Sequence, residues 1–592
     1  MNDILISFGY SNLYTHQLAA WEQINRGNNP VIVSGTASGK TLAYNLPVLD
    51  RLIQVEDARA LYIFPTKALG QDQIKNLQQF LEIANERAST TSAYYPIPVA
   101  IYDGDTPQHA RPAIRSAARL IITNADMLHT GILPHHTQWA DFFENLHFVV
   151  IDETHSYRGI FGSHVGNVLR RLKRVANFYG SKPQWIFTSA TIANPVELAE
   201  RLCEEPVTLI DDDGAPRGSR DFLFYNPPII DKDLGIRRSA LLEVIQLVED
   251  LLRYDIQTII FGRSRRTIEL ILTYLRETKE LKKSNQLTPK TVDRFEGIRG
   301  YRSGYLPRQR REIESGLRSG KVRAVVATNA LELGIDIGGV DAVIMVGYPG
   351  TIASTWQQAG RAGRLDKSSL ALLVATPNPI DQFLVSHPEY FYAKLPEHAL
   401  INPDNLLILL SHIRCAAFEL PFRQGEPFGK VPADQVGELL QILAQSGVIH
   451  YSGGKFFWMS ASYPSEETTL RSASADRILL QSQQNQIWTT IGEIDIESAA
   501  QLVHPGAIYL HEAQTYHIDE LDLDQHIARM CPVEVDFYTQ PQSDSVVNLI
   551  EIKNQSEIKG ETAPAATISH GDINVISQVV GFKRIKWFTH EI

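Results

Sequence analysis

Short runs of unbroken apolar residues, each followed by a helical pattern, recur through the first 350 residues and restrict what this chain can fold into. They lie at 30–33 (PVIV), 60–64 (ALYIF), 120–122 (LII), 148–151 (FVVI) and 185–187 (WIF). A strand with one wet face alternates apolar and polar residues. A strand apolar at every position is buried on both faces, as in a parallel sheet covered by helices. A second set follows at 258–261 (TIIF), 324–327 (AVVA) and 342–346 (AVIMV), after a linker-like stretch at 211–216 (DDDGAP) and 226–228 (NPP). The expected class is α/β, with parallel-sheet lobes at 1–225 and 226–398.

Beyond 400 the pattern changes. Helical segments at 404–418 and 436–445 precede a strand at 448–451, a Ser452-Gly453-Gly454 turn and a return strand at 455–458. Two helices and such a hairpin predict a winged-helix-like module over 399–468. The remainder, 469–592, is β-rich and reads as a truncated region. Four domains suit a 592-residue chain.

The net charge of −11 seems unsuited to a polyanion partner, but 431–592 holds 9 Lys+Arg against 21 Asp+Glu, a net of −12. The front of the chain, 47 against 46, is at +1 and compatible with a nucleic-acid track. Cys203, Cys415 and Cys531 are too far apart for a disulfide framework or a four-cysteine zinc site. No structural zinc is expected, and a reducing cytoplasmic setting fits, nucleoid-associated in a bacterium. No apolar run reaches the ~18 residues of a membrane span, and the N-terminus has no basic leader.

Ser34-Gly35-Thr36-Ala37-Ser38-Gly39-Lys40-Thr41 follows the first apolar run and opens a helical pattern. Small residues there let backbone N–H groups wrap phosphates, Lys40 reaches the β/γ oxygens, and the Thr41 hydroxyl ligates Mg²⁺. Ser34 stands where the GxxxxGK[ST] pattern has its first glycine. The run at 148–151 leads into Asp152-Glu153-Thr154-His155. Asp152 at a buried strand end suits Mg²⁺, and Glu153 suits a general base for the attacking water. Either motif alone is compatible with a plain turn or a solvated loop. Together, about 110 residues apart, they indicate an NTPase using ATP and Mg²⁺.

Over about 10–395 the order and spacing of motifs resemble superfamily 2 helicases of the DEAD/DEAH type, built on RecA-like lobes. Tyr14-Thr15-His16-Gln17 is similar to the Q motif, which implies that Gln17 reads the adenine edge. Pro65-Thr66-Lys67 and Thr123-Asn124, together with Thr328, match segments that touch the nucleic-acid backbone. Ser189-Ala190-Thr191 resembles the motif that couples hydrolysis to strand movement, and coupling is expected also of Gly334, Asp336 and Gln357 and of His155, for which a purely structural histidine is the alternative. Gln357-Gln358-Ala359-Gly360-Arg361-Ala362-Gly363-Arg364 is similar to motif VI, implying that Arg361 and Arg364 stabilise the transferring phosphoryl group.

A closer resemblance is to MrfA-type (YprA-like) helicases, carried by the 152–164 stretch, by Tyr301-Arg302-Ser303-Gly304-Tyr305-Leu306-Pro307 and by His504-Pro505-Gly506-Ala507-Ile508-Tyr509. It implies ATP-driven 3′→5′ movement on single-stranded or tailed duplex DNA in repair. Thr154 replaces a usually apolar residue, and the family's C-terminal four-cysteine module has no counterpart here. The alternatives are an RNA helicase or an inactive DNA-binding scaffold. Lys40, Glu153 and Arg361 argue against the scaffold.

Three further stretches carry expectations. Residues 299–323 hold eight Lys+Arg against two Glu with Tyr301 and Tyr305 interleaved, a pattern suited to single strands, with a solvated basic helix face as the alternative. Arg170-Arg171-Leu172-Lys173-Arg174 reads as a solvated helix face, and Trp458 as a core tryptophan.

Overall fold

The apolar runs become the inner strands of two all-parallel sheets. The computed structural model describes residues 12–35, 38–88, 96–216, 218–283, 297–302, 305–332, 337–363, 368–471, 477–484, 487–511, 514–558 and 566–587. Thr36, Ala37, Gly334, Asp336 and Arg364 lie outside the described residues.

The first lobe holds β1 (Pro30–Val33), β2 (Arg59–Phe64), β3 (Val99–Ile101), β4 (Leu120–Asn124), β5 (Leu146–Ile151), β6 (Gln184–Ser189) and β7 (Thr208–Ile210), in spatial order β3-β4-β2-β5-β6-β1-β7. The second lobe holds β8 (Arg220–Tyr225), β11 (Thr258–Gly262), β12 (Ile298–Tyr301), β13 (Ala324–Ala327), β14 (Ala342–Val346) and β15 (Ser369–Val374), in the order β12-β13-β11-β14-β15-β8. The minor hairpin β9 (Ile229–Asp231) and β10 (Ile236–Arg237) intervenes in sequence. Every residue of β1, β4, β11, β13 and β14 is buried, as strands covered on both faces require.

One boundary moves. Residues 220–225, assigned above to the first lobe, form β8 and pair in parallel with β15 from Arg220↔Ser369 to Tyr225↔Val374. The crossing between sheets therefore falls upstream of Arg220. A short, half-exposed strand beside a proline-rich segment carries little apolar signal, so its sheet is set by pairing alone.

The chain forms two compact units. One carries both sheets and the winged helix; the other is built from 474 onward with segments at 269–284 and 302–312. In the first, α6 (Leu406–Glu419) and α7 (Ala433–Gln445) pack with β16 (Phe422–Arg423), β17 (Ile449–Ser452) and β18 (Lys455–Trp458) around Leu409, Ile413, Val436, Leu440 and Ile449. Gly453 and Gly454 both take positive φ, 56° and 76°, which the two-residue turn between β17 and β18 demands. Trp458 packs at the edge of this core, edge-on to Phe418 at 6.0 Å. Residues 469–471, expected in the β-rich region, belong to the first unit, and Leu470 lies in the core of the first lobe.

The basic run at 170–174 is not a solvated face. It lies on α4 (Gly159–Phe178), where Arg170 and Arg171 are buried. Arg171 is fully enclosed and forms a bidentate ion pair with Glu419 at the end of α6. Its remaining donors reach His129 Nδ1 (2.5 Å), His129 O (3.2 Å) and His412 Nδ1 (3.4 Å). His129 then donates through Nε2 to Thr468 O (2.9 Å), and His412 Nε2 meets His164 Nδ1 (3.0 Å). Arg174 donates to the carbonyls of Ala416 and Leu420, both at 2.9 Å, at the C-terminal end of α6, and stacks over Phe422 at 3.9 Å. A charge run on an amphipathic helix normally faces water; here it meets the acid and the free carbonyls of a second domain.

The aromatic residues of 299–323 are also interior. Tyr301 is buried with its hydroxyl on Glu314 (2.7 Å), so it cannot stack on a base. In the second unit, Arg302 is 1% exposed and paired with Glu269 (3.0 Å). It donates to Tyr509 Oη (2.8 Å) and His511 Nδ1 (3.0 Å), with buried Tyr305 alongside. Two motifs that resembled the family thus meet around one buried guanidinium. The same unit contains a five-stranded sheet, β20 (Ile487–Asp495), β19 (Arg477–Gln484), β23 (Ile527–Pro532), β22 (Gln514–Asp522) and β21 (Ile508–His511) in spatial order, and a long hairpin of β24 (Phe537–Ile558) and β25 (Ala566–Lys586). Among the described residues no helix is long and apolar enough to cross a membrane.

Arg171→Met strands the Glu419 carboxylate in the interior and should cost about 3–5 kcal/mol in denaturant unfolding, whereas Arg171→Met with Glu419→Leu should recover most of it. The histidines add a pH signature. Burial, reinforced by Arg171, lowers His129 from 6.5 to about 3 and His412 well below its ordinary value. The unfolded chain binds protons near pH 6.5 that the folded chain refuses, so stability is unaffected above that pH and falls as pH drops from 6.5 toward 3. Melting between pH 7.5 and 5.5 should show this decline, and His412→Leu should make it shallower.

Candidate ATP and nucleic-acid site

β1 ends at the phosphate loop, and α2 (Lys40–Gln54) begins directly after it. Gly39 supports that junction: its φ is +81°, and a Cβ there would lie 2.7 Å from Gln17 Nε2. Gln17, in the first turn of α1 (Thr15–Asn25), accepts from Tyr14 N–H (3.0 Å) and donates to Gly39 O (3.1 Å). Its amide therefore ties α1 to the loop. Ser34 and Ser38 are buried and share a hydrogen bond of 2.6 Å, and Ser38 also donates to Gly35 O (2.9 Å). A serine at the first loop position thus braces the turn. Lys40 Nζ donates to Ser34 O (3.1 Å) and Ser189 O (3.3 Å), and Thr41 sits in the first turn of α2.

Asp152 and Glu153 follow β5. Asp152 is 7% exposed and accepts from the Thr188 hydroxyl and from Glu153 N–H (3.0 Å). Burial and the adjacent Glu153 push its carboxyl up to about 6. Glu153 has φ +51°, left-handed backbone for a residue with a Cβ, a strain of order ~1–3 kcal/mol that tertiary contacts must hold. Its N–H also reaches Thr188 Oγ1 (3.3 Å). Thr154 is buried, its hydroxyl donating to Ile151 O (3.2 Å), so the usual apolar place accepts this small residue without an unpaired hydroxyl.

His155 joins three segments. Its Nδ1 accepts from Ala190 N–H (3.0 Å) and lies 3.5 Å from Glu153 Oε2, while Nε2 meets the Gln357 amide at 2.6 Å. Burial lowers His155 to about 4, so the ring is neutral at physiological pH with its proton on Nε2, which calls for the Gln357 amide oxygen on that side. Gln357 lies on α5 (Ile352–Ala359) of the second lobe. Ser189 and Ala190 are buried and Thr191 is exposed. Arg361 is held within the second lobe by Glu332 O (2.7 Å), beside the Gln358–Glu332 contact (3.1 Å).

The backbone-reading segments are placed less uniformly. Thr66 Oγ1 accepts from Leu69 N–H (3.4 Å) at the start of α3 (Lys67–Ala88), and Lys67 makes an exposed 2.8 Å ion pair with Asp105. Thr123 and Asn124 are buried: the hydroxyl donates to Tyr102 O (2.7 Å), and Asn124 Oδ1 caps Met127 N–H (2.8 Å). Their side chains shape the loop; they do not point outward as backbone-touching groups would. Thr328 caps the short turn Asn329–Leu331. Three residues of the site were not singled out in the sequence. Asp213, in the supposed linker, accepts from Gly35 N–H (3.1 Å); Thr188 donates to the Asp152 carboxylate and accepts from the Glu153 backbone N–H; and Arg471 donates to Pro65 O (2.5 Å) and Asp126 Oδ2 (3.1 Å) while stacking on Phe161 at 4.1 Å. Only Thr188 had a signal, its position just ahead of Ser189-Ala190-Thr191.

Family models match in the same order: the DEAD/DEAH box helicase model over 14–199, the helicase conserved C-terminal domain over 240–366, and the winged helix domain of the ATP-dependent helicase HRQ1 over 401–473. Two parallel-sheet lobes meeting through His155 and Gln357 are the motor of an ATP-hydrolysing helicase. The uncharacterized ATP-dependent helicase YprA of Bacillus subtilis is 48% identical over 98% of this chain and 74% of its own length. ATP-dependent helicase HRQ1 of Saccharomyces cerevisiae is 35% identical over 97% of the chain, which spans 52% of that protein. A crystal structure of the DUF1998 helicase MrfA bound to DNA superposes with TM-score 0.86 at 46% identity, covering 100% of this chain and 78% of that one. The chain belongs to this YprA/MrfA family of ATP-dependent helicases.

His155→Ala and Gln357→Ala remove opposite ends of one buried contact. Each should lower nucleic-acid-stimulated ATP turnover about tenfold, and the double variant should be no worse than either single one, measured by phosphate release.

Proposed function

We propose that this chain is an ATP-driven motor that moves 3′→5′ along one strand of DNA and opens tailed duplexes in the service of DNA repair. The observation that carries the motor reading is the 2.6 Å contact between His155 and Gln357, because it links the acidic pair of one lobe to the arginine-bearing segment of the other. DNA as the track, the direction and the repair role are supported by the family resemblance and by the likeness to MrfA bound to DNA.

In this mechanism Lys40 exchanges its carbonyl partners for β/γ-phosphate oxygens, and the N–H groups from Gly35 to Gly39, Thr36 and Ala37 included, wrap the phosphates. Gln17 reads the adenine edge and holds the loop. Glu153 takes the proton of the attacking water, and Arg361 and Arg364 offset charge on the transferring group. A change at the γ-phosphate then passes through Glu153, His155 and Gln357, with Ser189–Thr191, Gly334 and Asp336, to the strand-holding segments at Pro65, Thr66, Lys67 and Thr328 and to the loop that the buried Thr123 and Asn124 shape from within.

The donor set fits Mg²⁺. Asp152 is a buried carboxylate pushed up to about 6, partly by a second acid, so the pocket favours added positive charge, and Thr41 offers a hydroxyl. Such an ion would supply positive charge to offset that of the bound phosphates. Asp152 and Thr41 orient it.

Glu153→Gln should keep ATP binding and lower turnover by about 10²–10⁴, since an amide cannot accept the water's proton. Equal rates for the variant and the wild type would refute the assignment. Strand displacement should require a 3′ tail; opening only of 5′-tailed duplexes would overturn the direction, and preference for a matched RNA duplex would overturn the track.

A further inference from the structure

The outer face of the five-stranded sheet in the second unit carries a cluster that the motor does not use. β22 and β23 are antiparallel, and His517 lies directly opposite Cys531. Neighbouring Ile518 and Met530 are fully buried in the core of the sheet, so the alternation of a strand turns His517 and Cys531 outward. One step on, the register shifts between Ile518 and Glu520, leaving Asp519 as the extra residue of a bulge. A bulge re-aims its side chain, and here the Asp519 carboxylate lies 2.9 Å from His517 Nδ1 and 3.8 Å from Cys531 Sγ. One ligand atom from each of the three residues falls within 4.8 Å of the others.

We propose that His517, Asp519 and Cys531 form a three-ligand site for a divalent cation of the zinc class. Nitrogen, oxygen and sulfur together match the preferences of zinc and cobalt and do not suit magnesium or calcium, which want oxygen alone. In a tetrahedral site with bonds of about 2.0–2.3 Å, ligand atoms sit roughly 3.3–3.8 Å apart, so the cluster needs only small side-chain movements. The His517–Asp519 hydrogen bond opens, and the Cys531 thiol gives its proton to solvent as the sulfur–metal bond forms. Neutral imidazole, carboxylate and thiolate bring two negative charges, which balance the ion. Arg529, the neighbouring cation, is already paired with Glu520 at 2.6 Å. The region from 431 onward carries a net of −12, which draws cations toward it.

This departs from the expectation of no zinc, which weighed cysteines only against other cysteines. A single cysteine becomes a ligand when a histidine and a carboxylate are folded against it. The other two thiols, Cys203 and Cys415, are buried and do not compete.

Cobalt titration of chelator-stripped, desalted protein tests the site. A thiolate-to-cobalt absorption should saturate at one equivalent, vanish on zinc addition and be absent in Cys531→Ser, with apparent cobalt affinity at least tenfold weaker in His517→Ala and in Asp519→Asn. Zinc should also raise the melting temperature of the wild type and not of Cys531→Ser. A melting temperature of metal-free Cys531→Ser equal to that of the metal-free wild type, with an unchanged far-ultraviolet circular dichroism spectrum, shows that the variant is folded. Absence of the band in the wild type, its persistence in Cys531→Ser, or undiminished affinity in both other variants overturns the proposal.

Discussion

The enclosed ion pair between Arg171 and Glu419 is the constraint on which the first unit depends. A guanidinium taken out of water is tolerable only when nearly every N–H finds an acceptor, and Arg171 finds them on α6, on His129 and on His412. α4 begins seven residues after Asp152, so the helix that anchors the winged module is rooted at the nucleotide site. His129 follows the Thr123–Leu128 segment by one residue and is held to Thr468. One buried cation thereby places the acidic pair, the 123–128 loop and the winged helix in a single frame.

At the nucleotide site the same logic runs in the opposite direction. Asp152 and Glu153 are crowded, one pushed toward neutrality by burial and the other in left-handed backbone, with Thr188 holding both. Such crowding of acids favours added positive charge. Lys40 rests on the carbonyls of Ser34 and Ser189, and Asp213 occupies a loop N–H. His155, kept neutral by its surroundings, is a directional connector: it accepts from one segment and donates to another, and protonation would erase that distinction.

Reading the chain by itself located the motor well. The apolar runs marked inner strands of both sheets because burial on two faces leaves no polar positions, and Ser34–Thr41 and Asp152–His155 fall at strand ends where chain direction changes. It served less well for side chains whose partners lie far along the chain. Arg170 and Arg171 had the look of a wet helix face, and Tyr301 and Tyr305 that of a base-stacking platform. Burial of a long cationic or phenolic side chain depends on an acceptor such as Glu419 or Glu314, and no local pattern announces which one.

What the sequence determined, then, was everything that follows from local periodicity and from chemistry carried within one short segment: two parallel sheets, a phosphate loop, an acidic pair and a hairpin wing. Only the tertiary structure decided which sheet received the strand at 220–225, that Arg471 braces Pro65 and Asp126, that Asp213 meets the phosphate loop, and that a bulge aims Asp519 at His517 and Cys531. The reason is physical. Periodicity reports which face of an element is dry, because that is a property of neighbouring residues. Pairing between distant polar groups is decided by desolvation and register, which exist only once the elements have packed.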